Sequence, residues 1–377
     1  MKIAYFIDRL STPGGMERIL ILKANYLADK GYEVHIITTE NFQNSPYFEI
    51  NDAVILHCLD VEKNIPGQNF FTMFLGESYS QEYFEKASKL LKTLSVDVCI
   101  GLFGNEKKFL HKIKDGSKKV VEFHFSKKGL LETTKIARFP RLTKLYFEKI
   151  KFKEYLNILK NYNAFVTLTK QDQEAWGNLK NSLTIPNPII FEIQEKSADY
   201  SNKTILSVGR IHYQKGFDLL IDIWEKIEKR FPDWNLKIVG RREGVKDNLD
   251  EIIEKKNLNR IKMISATKDI QKYYYESSLY VSTSRYEGFP LTFLEAQACG
   301  LPIVSFDCST GPSEIIKDNE DGLLATYLDE QDLADKLMIL MKDEEKRREF
   351  GVKAKENVKR FDLDIIMKKW IDLFNKL

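Results

Sequence analysis

Residues 279–296 have the sequence LYVSTSRYEGFPLTFLEA, in which a short apolar run, a polar turn and a second apolar segment follow one another. The apolar run predicts a strand at Leu279–Ser282, and the second segment predicts a helix at Leu291–Cys299. Pro290 suits the start of that helix, because a proline in the first turn lacks an N–H group that would be unpaired anyway. A strand that leads straight into a helix is the repeating unit of a parallel sheet covered by helices.

The same alternation extends through the chain on both sides of this stretch. Strands are also predicted at Lys2–Ile7, Glu33–Thr38, Val54–His57, Val96–Leu102, Val120–Phe123, Ala164–Leu168, Thr204–Val208, Leu236–Val239, Lys262–Ile264 and Ile303–Phe306. Helices are predicted at Met16–Asp29, Gln81–Leu94, Phe217–Lys229, Lys246–Lys256, Ile270–Glu276 and Leu363–Leu377. The fold class is therefore α/β, with parallel sheets whose strands are linked by helices.

A chain of 377 residues is long enough for two hydrophobic cores. The polar, proline-containing stretch 186–202 predicts a linker. We therefore expect two doubly wound domains, residues 1–186 and 187–360, with a terminal helix at 361–377 that packs back on the first. Ligands of such sheets bind at the carboxyl ends of the strands, so a cleft between the two domains is the expected site.

Composition and charge narrow the possible functions. No run of 18 apolar residues predicts a membrane-spanning helix, and four dispersed cysteines indicate neither a zinc site nor a disulfide framework. A reducing, cytoplasmic location is therefore expected. The net charge is only +3, yet residues 107–153 carry 15 Lys and Arg against 4 Asp and Glu. This concentration favours a local anionic partner and no general binding of nucleic acid.

Two carboxylates in the opening stretch suit the binding of a long, hydroxyl-rich ligand. Glu287 lies in the turn and Glu295 about one turn into the helix, so they can be about 12 Å apart along the helix direction. The free N–H groups at the start of the helix form an anion site suited to a diphosphate. Two glutamates alone are more typical of a capping residue and a solvated helix residue than of a ligand site; the surrounding Glu-Gly-Phe-Pro sequence reverses this and favours a ligand site.

The spacing of Glu287 and Glu295 resembles the E-x7-E signature of the family 4 retaining glycosyltransferases. The continuation at 296–304, AQACGLPIV, and the segment 209–216, GRIHYQKG, are also similar to that family. The resemblance implies the GT-B fold, in which two Rossmann-like domains face each other across a cleft. It implies transfer of a sugar from a nucleoside-diphosphate sugar to a sugar hydroxyl, with retained configuration.

The resemblance also assigns roles to residues. Arg210 and Lys215 would hold the donor diphosphate, Glu287 would lie by the donor sugar, and Glu295 would bind the ribose hydroxyls. His124, at the end of a predicted strand, would lie near the reacting sugar. The remaining expected donor contacts are Gly14, Gly15, Gly209, Gly288, Phe289, Pro290, Leu291 and Thr292. For His124 and for the glycine pair, an ordinary structural role is an equally open interpretation.

The chemistry of two fixed cations supports the assignment independently. Cleavage of a glycosyl–phosphate bond leaves an extra negative charge on the leaving diphosphate, and Arg210 and Lys215 would stabilise it in place of a divalent metal. The D-x-D sequence at Asp362 and Asp364 is better explained as a cap of the last helix. We therefore expect an enzyme that requires neither a metal nor another cofactor.

The donor and the linkage are less constrained. Residues 309–315, STGPSEI, resemble a variant of the family that acts on bacterial surface polysaccharides, often with UDP-sugars, which favours a hexosyl- or N-acetylhexosaminyltransferase. Residues 240–244 carry Arg241 and Arg242 where the family has a small Gly-Asp-Gly loop, so those arginines either contact phosphate or face solvent. The loop 265–268 lacks the usual glycine, which leaves the nucleobase open.

The basic stretch Leu130–Tyr155 interleaves lysines and arginines with aromatic and aliphatic residues. Such a pattern suits a helix that lies on an anionic membrane surface. It is also typical of an ordinary amphipathic helix packed on its domain. Since related enzymes extend lipid-linked sugars, we expect a peripheral protein at the inner face of the cytoplasmic membrane and a polyprenyl-diphosphate-linked saccharide as acceptor.

Three other functions remain to be weighed. A sugar epimerase of GT-B fold would need acid and base carboxylates on both faces of the sugar, and nothing in the sequence indicates them. A dinucleotide oxidoreductase would need G-x-G-x-x-G after a first strand, and neither domain has it. A non-catalytic nucleotide-sugar-binding protein would have no need of the two cations.

Overall fold

The computed structural model describes residues 1–40, 45–61, 80–132, 141–177, 179–242 and 248–377. The chain forms two compact units. The first comprises Met1–Asn187 together with Ile366–Leu377, and the second comprises Pro188–Ile365. Each unit is built around its own parallel sheet.

The first unit contains a seven-stranded sheet with the order β3-β2-β1-β4-β5-β6-β7. Its strands are β1 Lys2–Ile7, β2 Glu33–Thr38, β3 Val54–Cys58, β4 Val98–Gly101, β5 Lys118–Phe123, β6 Ala164–Thr167 and β7 Ser182–Thr184. Its helices are Gly15–Asp29, Gln81–Leu94, Lys127–Glu132, Arg141–Leu159 and Lys170–Trp176, with 3₁₀ turns at Asn105–Lys108 and Leu110–Lys112. The central strands are almost continuously buried, as expected for a parallel sheet with helices on both faces.

The second unit contains a six-stranded sheet with the order β10-β9-β8-β11-β12-β13. Its strands are β8 Thr204–Val208, β9 Asn235–Gly240, β10 Ile261–Ser265, β11 Leu279–Ser282, β12 Ile303–Phe306 and β13 Gly322–Ala325. Its helices are Phe217–Glu228, Leu249–Lys255, Ile270–Tyr275, Leu291–Ala298, Pro312–Ile315, Glu330–Lys342 and Glu344–Val358, with 3₁₀ turns at Tyr213–Lys215 and Lys359–Phe361. All pairings between these strands are parallel.

The α/β class and the predicted strands are confirmed, with ends displaced by two residues or fewer. Two short edge strands, β7 and β13, were not predicted, because three or four residues carry too little pattern to distinguish a strand from a loop. The helices Glu330–Lys342 and Glu344–Val358 were also not predicted. The predicted helix at 246–256 begins in residues that lie outside the described ones, and Leu249–Lys255 is helical.

The stretch 186–202 was expected to be a linker, but from Pro188 onward it belongs to the second unit and is hydrogen-bonded to it. The Ile189 N–H donates to the Phe361 carbonyl at 2.8 Å, and the Ala198 N–H donates to the Cys299 carbonyl at 2.8 Å. The terminal helix Leu363–Lys376 buries five residues of its apolar face, Ile366, Met367, Trp370, Leu373 and Phe374. Its residues from Ile366 onward belong to the first unit, where Trp370 covers Lys23.

Candidate active site

The candidate site of the second unit lies where the strand order reverses. The chain runs outward from β8 to β9 and β10, then returns to place β11 on the other side of β8. The loops that leave β8 and β11, residues 209–216 and 283–290, therefore diverge from neighbouring strand ends. This is the position at which open α/β sheets bind their ligands.

Lys215 and Glu287 meet at this switch point. The Lys215 ammonium lies 2.7 Å from Glu287 Oε1, and the two side chains are 17% and 6% exposed. The Ser284 hydroxyl donates to the same carboxylate oxygen at 2.6 Å, and the Thr310 hydroxyl donates to the Glu287 carbonyl. Two of the predicted site residues, 72 positions apart in sequence, are thus brought together as an ion pair whose carboxylate also accepts from the Ser284 hydroxyl.

Close main-chain contacts hold the two loops together. The Thr283 hydroxyl donates to the Gly216 carbonyl at 2.8 Å, and the Arg285 N–H donates to the Gln214 carbonyl at 2.8 Å. Gly216 has a φ of +64°, and a Cβ there would lie 2.2 Å from the Thr283 carbonyl oxygen. Only glycine fits this position without displacing the loop after β11.

Gly209 lies against the side chain of Lys215, where a larger residue would collide with it. A Cβ at this position would lie 3.1 Å from the methylene carbons of Lys215. The aliphatic stem of Lys215 therefore packs directly on the Gly209 main chain. This contact gives the predicted residue Gly209 a function in positioning the ammonium group.

Arg210 lies on the same loop and is exposed. Its guanidinium donates to Gln214 Oε1 at 3.3 Å, while the Gln214 amide group donates to the Tyr286 carbonyl at 3.0 Å. Gln214 therefore connects Arg210 to the loop that carries Glu287. The two predicted cations differ in setting, since Lys215 is held by a carboxylate and Arg210 is open to solvent.

The helix Leu291–Ala298 begins immediately after Pro290, whose main chain is extended. Pro290 is thus the residue immediately before the helix. We had expected it to lie within the first turn of the helix. Gly311 packs on this start, since a Cβ there would lie 2.9 Å from Pro290 Cδ and 3.2 Å from the Gly288 carbonyl oxygen. Thr292 lies in the first turn and is partly buried.

The side chain of Phe289 packs against another aromatic ring. Its ring meets the ring of Phe361 edge to face, with the centroids 5.4 Å apart. The residue is 6% exposed. Any contact of Phe289 with a ligand is therefore limited to its main chain.

Glu295 is nearly buried and already accepts a hydrogen bond. The Tyr274 hydroxyl donates to Glu295 Oε2 at 2.7 Å, and Tyr274 itself stacks on Tyr280 with ring centroids 6.0 Å apart. Burial raises the pKa of Tyr274, and the charge of Glu295 raises it further. The hydroxyl therefore remains a donor to the carboxylate. Sequence reasoning missed Tyr274, because three consecutive tyrosines at 273–275 do not indicate which one faces the site.

Arg285 was not assigned a function from the sequence, and its contacts are structural. Its guanidinium donates to both oxygens of Asp218, at 2.8 and 2.5 Å, and lies 4.1 Å from the centroid of the Tyr213 ring. This hydrogen bonding raises the pKa of Arg285. The Tyr327 hydroxyl donates to the Arg285 carbonyl at 2.8 Å. Arg285 therefore fastens the loop after β11 to the helix Phe217–Glu228.

In the first unit, the predicted glycines Gly14 and Gly15 lie at the start of the helix Gly15–Asp29. Gly14 precedes the helix with an extended main chain. A carboxylate occupies this helix start: a Cβ on Gly14 would lie 2.0 Å from Glu17 Oε2, and the Thr12 hydroxyl donates to Glu17 Oε1 at 2.5 Å. A diphosphate at these N–H groups would require Glu17 to turn away, because the two anions repel each other.

His124 follows β5 and contacts a charged neighbour. Its Nε2 atom lies 3.2 Å from Glu122 Oε1, and the imidazole is 5% exposed. The other oxygen of Glu122 is paired with Lys23. Burial opposes the charge of Glu122, but Lys23 and His124 lower its pKa to about 2. The sequence placed His124 at a strand end and gave no sign of this buried pair.

The sequence of the basic stretch Leu130–Tyr155 left two interpretations open: a helix on a membrane surface and an amphipathic helix packed on its domain. The structure shows features of both. Residues 133–140 lie outside the described ones, as do the side chains of 141–144. In the helix Arg141–Leu159, Tyr155 and Leu159 belong to the core of the unit. The same helix exposes Leu145, Tyr146 and Ile150, which are 47%, 62% and 46% accessible.

Several other expected residues have structural partners. His212 Nδ1 accepts the Gln214 N–H at 3.2 Å. Asp362 Oδ1 accepts the Asp364 N–H at 2.9 Å, so it caps the terminal helix. Arg242 pairs with Asp250 at 2.6 Å; Glu243 and Gly244 of that loop lie outside the described residues.

Among the described residues, no group of three His, Cys, Asp or Glu side chains is placed to hold a metal ion. No helix in the same part of the chain is long and apolar enough to cross a membrane.

The sequence is similar to those of curated glycosyltransferases over almost its full length. An uncharacterized glycosyltransferase of Haemophilus influenzae is 29% identical over 382 residues, with 98% of each chain covered. The amylovoran biosynthesis glycosyltransferase AmsD of Erwinia amylovora is 27% identical, with 99% of each covered. A Campylobacter jejuni enzyme is 26% identical, with 96% of each covered. It is named N-acetylgalactosamine-N,N'-diacetylbacillosaminyl-diphospho-undecaprenol 4-alpha-N-acetylgalactosaminyltransferase.

The fold is shared with solved glycosyltransferase structures. The crystal structure of TarM superposes with a TM-score of 0.79 at 18% identity, covering 99% of this chain and 98% of TarM. The structure of HepE from Anabaena in complex with UDP and glucose superposes with a TM-score of 0.72 at 20% identity, covering all of both chains. Residues 189–357 match the family described as Glycosyl transferases group 1. The chain therefore has the GT-B fold of those glycosyltransferases, and its second unit carries the glycosyl transferases group 1 domain.

Proposed function

We propose that the protein transfers a hexosyl or N-acetylhexosaminyl group from a UDP-sugar to a hydroxyl of a lipid-linked saccharide, with retained configuration, in the synthesis of a bacterial surface polysaccharide. Residues 187–360 would bind the donor, and residues 1–186 with the terminal helix would bind the acceptor. The observation that carries the proposal is the Lys215–Glu287 pair at the reversal of the strand order.

The pair suits a donor that carries both a diphosphate and a sugar. Lys215 provides a cation for the leaving diphosphate, and Arg210 on the same loop provides a second, exposed one. As the glycosyl–phosphate bond breaks, negative charge grows on the phosphate oxygens. Cations already fixed beside them stabilise that charge more in the transition state than in the ground state. These two groups would take the place of a divalent metal.

The carboxylates would orient the donor. Glu287 is held by Lys215 and Ser284, so it accepts hydrogen bonds from sugar hydroxyls without rotating away. Glu295 is fixed by Tyr274 and would accept from the ribose. In this proposal they position the ligand and are not an acid and base pair. The proton of the acceptor hydroxyl would pass to the leaving phosphate oxygen during attack from the same face.

Names of similar proteins support the choice of donor and acceptor. HepE was solved with UDP and glucose bound, which supports a UDP-sugar. The Campylobacter jejuni relative is named for an undecaprenol-diphosphate-linked acceptor, and the Erwinia amylovora relative for the biosynthesis of amylovoran. These properties belong to those proteins, and we extend them to this chain as part of the proposal.

The exposed face of the helix Arg141–Leu159 supports a location on the membrane. Leu145, Tyr146, Lys149, Ile150 and Lys153 are all exposed, at a spacing that places them on one side of the helix. Apolar side chains flanked by lysines suit the boundary of an anionic lipid surface. Flotation with vesicles rich in phosphatidylglycerol tests this part. We expect binding at low salt, and its loss in the variant Leu145→Ser/Ile150→Ser; absence of binding at low salt would refute it.

Two measurements test the proposed reaction. UDP, GDP and ADP are first compared for thermal stabilisation of the protein; only the fitting nucleotide should raise Tm strongly, because the stabilisation grows with the logarithm of 1 + [L]/Kd. A panel of UDP-hexoses and UDP-N-acetylhexosamines is then assayed with polyprenyl-diphosphate-linked saccharides in the presence of EDTA. Tight nucleotide binding without turnover on any acceptor would favour a non-catalytic binding protein, and conversion of the free donor into its epimer would favour an epimerase.

A further inference from the structure

The loops that leave the neighbouring strands β8 and β9 each carry an exposed arginine, Arg210 and Arg241. The proposed function uses Arg210 and gives no role to Arg241 or to its neighbour Arg242. The sequence left both of these as residues that either contact phosphate or face solvent. The main-chain contacts of the two loops distinguish Arg241 from Arg242.

The two loops continue the pairing of their strands. β8 and β9 pair in parallel, and the bridge between Ile211 and Arg242 follows in the same register. The Ile211 N–H donates to the Arg241 carbonyl at 2.9 Å. Arg210 therefore lies opposite Arg241, and their main chains are separated by about 4.8 Å, the spacing of neighbouring strands.

A glycine at the end of β9 permits this close approach. A Cβ at Gly240 would collide with the Gly209 carbonyl oxygen and would lie 3.3 Å from the Cδ1 atom of Ile211. A larger residue at Gly240 would thus push the two loops apart. The pairing therefore extends past the ends of the strands to the positions of the arginines.

Side chains alternate between the two sides of an extended chain, so Arg241 and Arg242 lie on opposite sides. Ile211 packs in the core of the second unit, and Arg242 lies opposite it in the register, on the same side. The Arg242 guanidinium accordingly pairs with Asp250 at 2.6 Å. Arg241 lies on the other side, together with Arg210.

Arg210 connects this side to the candidate site. Its guanidinium donates to Gln214 Oε1 at 3.3 Å. The Gln214 amide group donates to the Tyr286 carbonyl at 3.0 Å, one residue before Glu287. Arg241 therefore lies beside a residue that is already hydrogen-bonded toward the loop of the proposed donor site.

A diphosphate requires more positive charge than Lys215 supplies. The Lys215 ammonium lies 2.7 Å from Glu287 Oε1, so much of its charge is balanced within the chain. Negative charge increases on the diphosphate as the glycosyl–phosphate bond breaks, and fixed cations stabilise that charge. Two adjacent guanidinium groups suit a diphosphate, because each presents several N–H donors in one plane to phosphate oxygens.

We propose that Arg241 binds the diphosphate of the donor together with Arg210, and that Arg242 serves only to hold the loop after β9 through Asp250. A nucleoside-diphosphate sugar as the ligand rests on the proposed function. The arrangement of the two arginines does not depend on it, and it fits a diphosphate whatever nucleoside is attached.

Binding of UDP to wild type and to Arg241→Gln is measured by isothermal titration calorimetry, with GDP or ADP in its place if that nucleotide stabilises wild type more. We expect Arg241→Gln to raise the Kd of the nucleoside diphosphate about 10-fold, as loss of a hydrogen bond to a charged group does. The Kd of the nucleoside without phosphates should be unchanged. An unchanged Kd of the diphosphate, or an equal rise for the nucleoside, would overturn the proposal.

Arg242→Gln is the matched control. It removes the same charge from the next residue, so it measures general electrostatic attraction without the proposed contact, and the Kd of the diphosphate should equal that of wild type. Both arginines are exposed, so thermal unfolding should show little change in either variant. An equal loss of affinity in Arg242→Gln would overturn the proposal, because attraction by net charge would then explain both results.

Inorganic pyrophosphate distinguishes this inference from the proposed function. If wild type binds none of UDP, GDP and ADP, the proposed function is contradicted, and the three proteins are titrated with pyrophosphate. Affinity that is lost in Arg241→Gln and kept in Arg242→Gln would still support a diphosphate site at Arg241. Absence of pyrophosphate binding by wild type in that case, or equal affinity of the two variants, would overturn the inference as well.

Discussion

Replacement of Lys215 by methionine separates the contribution of the buried pair to stability from its contribution to transfer. The variant leaves Glu287 6% exposed, with the Ser284 hydroxyl as a donor but without the ammonium group. Breaking a fully buried pair costs about 3–5 kcal/mol. Because Lys215 is 17% exposed, solvent screens part of that effect, and we expect about 2 kcal/mol. For a unit of this size, Tm would fall by about 4–8 °C.

The double variant Lys215→Met/Glu287→Gln provides the thermodynamic control. It removes the unpaired carboxylate, so part of the lost stability should return, and the coupling energy follows from the double-mutant cycle. Transfer should not return. Loss of a fixed group that stabilises developing charge lowers kcat about 100- to 1,000-fold, and both variants should show this loss.

The assay measures donor consumption at saturating acceptor, alongside thermal unfolding of each variant. Lys203→Met is a matched control, because its lysine pairs with Asp233 on the surface and such pairs are worth about 0–1 kcal/mol. This control should keep both Tm and kcat. A Lys215 variant that folds and retains kcat within about 3-fold would refute the assignment of Lys215 to the leaving group.

Three further predictions concern other parts of the structure. Gly216→Ala should lower Tm and weaken nucleotide binding, because a Cβ at φ +64° would lie 2.2 Å from the Thr283 carbonyl oxygen; a melting temperature equal to wild type would contradict this. Burial raises the pKa of Glu106 from 4.5 to about 7, so its protonation stabilises the fold; stability should fall by about 3 kcal/mol as pH rises through that window, and Glu106→Gln should remove this slope in urea titrations. Tyr274→Phe should raise the KM for the donor more than it lowers kcat, since Glu295 loses the donor that fixes it; an unchanged KM would argue against ribose binding by Glu295.

Local pattern was sufficient to predict much of the fold. The strand at Leu279–Ser282 is observed at the predicted bounds, and the helix after Pro290 ends one residue earlier than expected. The short strands Ser182–Thr184 and Gly322–Ala325 were missed, since each is defined by its hydrogen bonds to a neighbouring strand and not by its own composition. Their positions follow only when the sheet is assembled.

The sequence by itself determined which residues follow the strands of the second unit, because hydrophobic periodicity and turn residues act over a few positions. Lys215 and Glu287 were named on that basis. That they pair, although 72 positions apart, was decided by the reversal of strand order at β8 and β11. The partnership of Glu122 with Lys23, 99 positions away, has the same origin. Such contacts form only when the sheet brings distant strand ends together, and burial then makes a charged partner necessary.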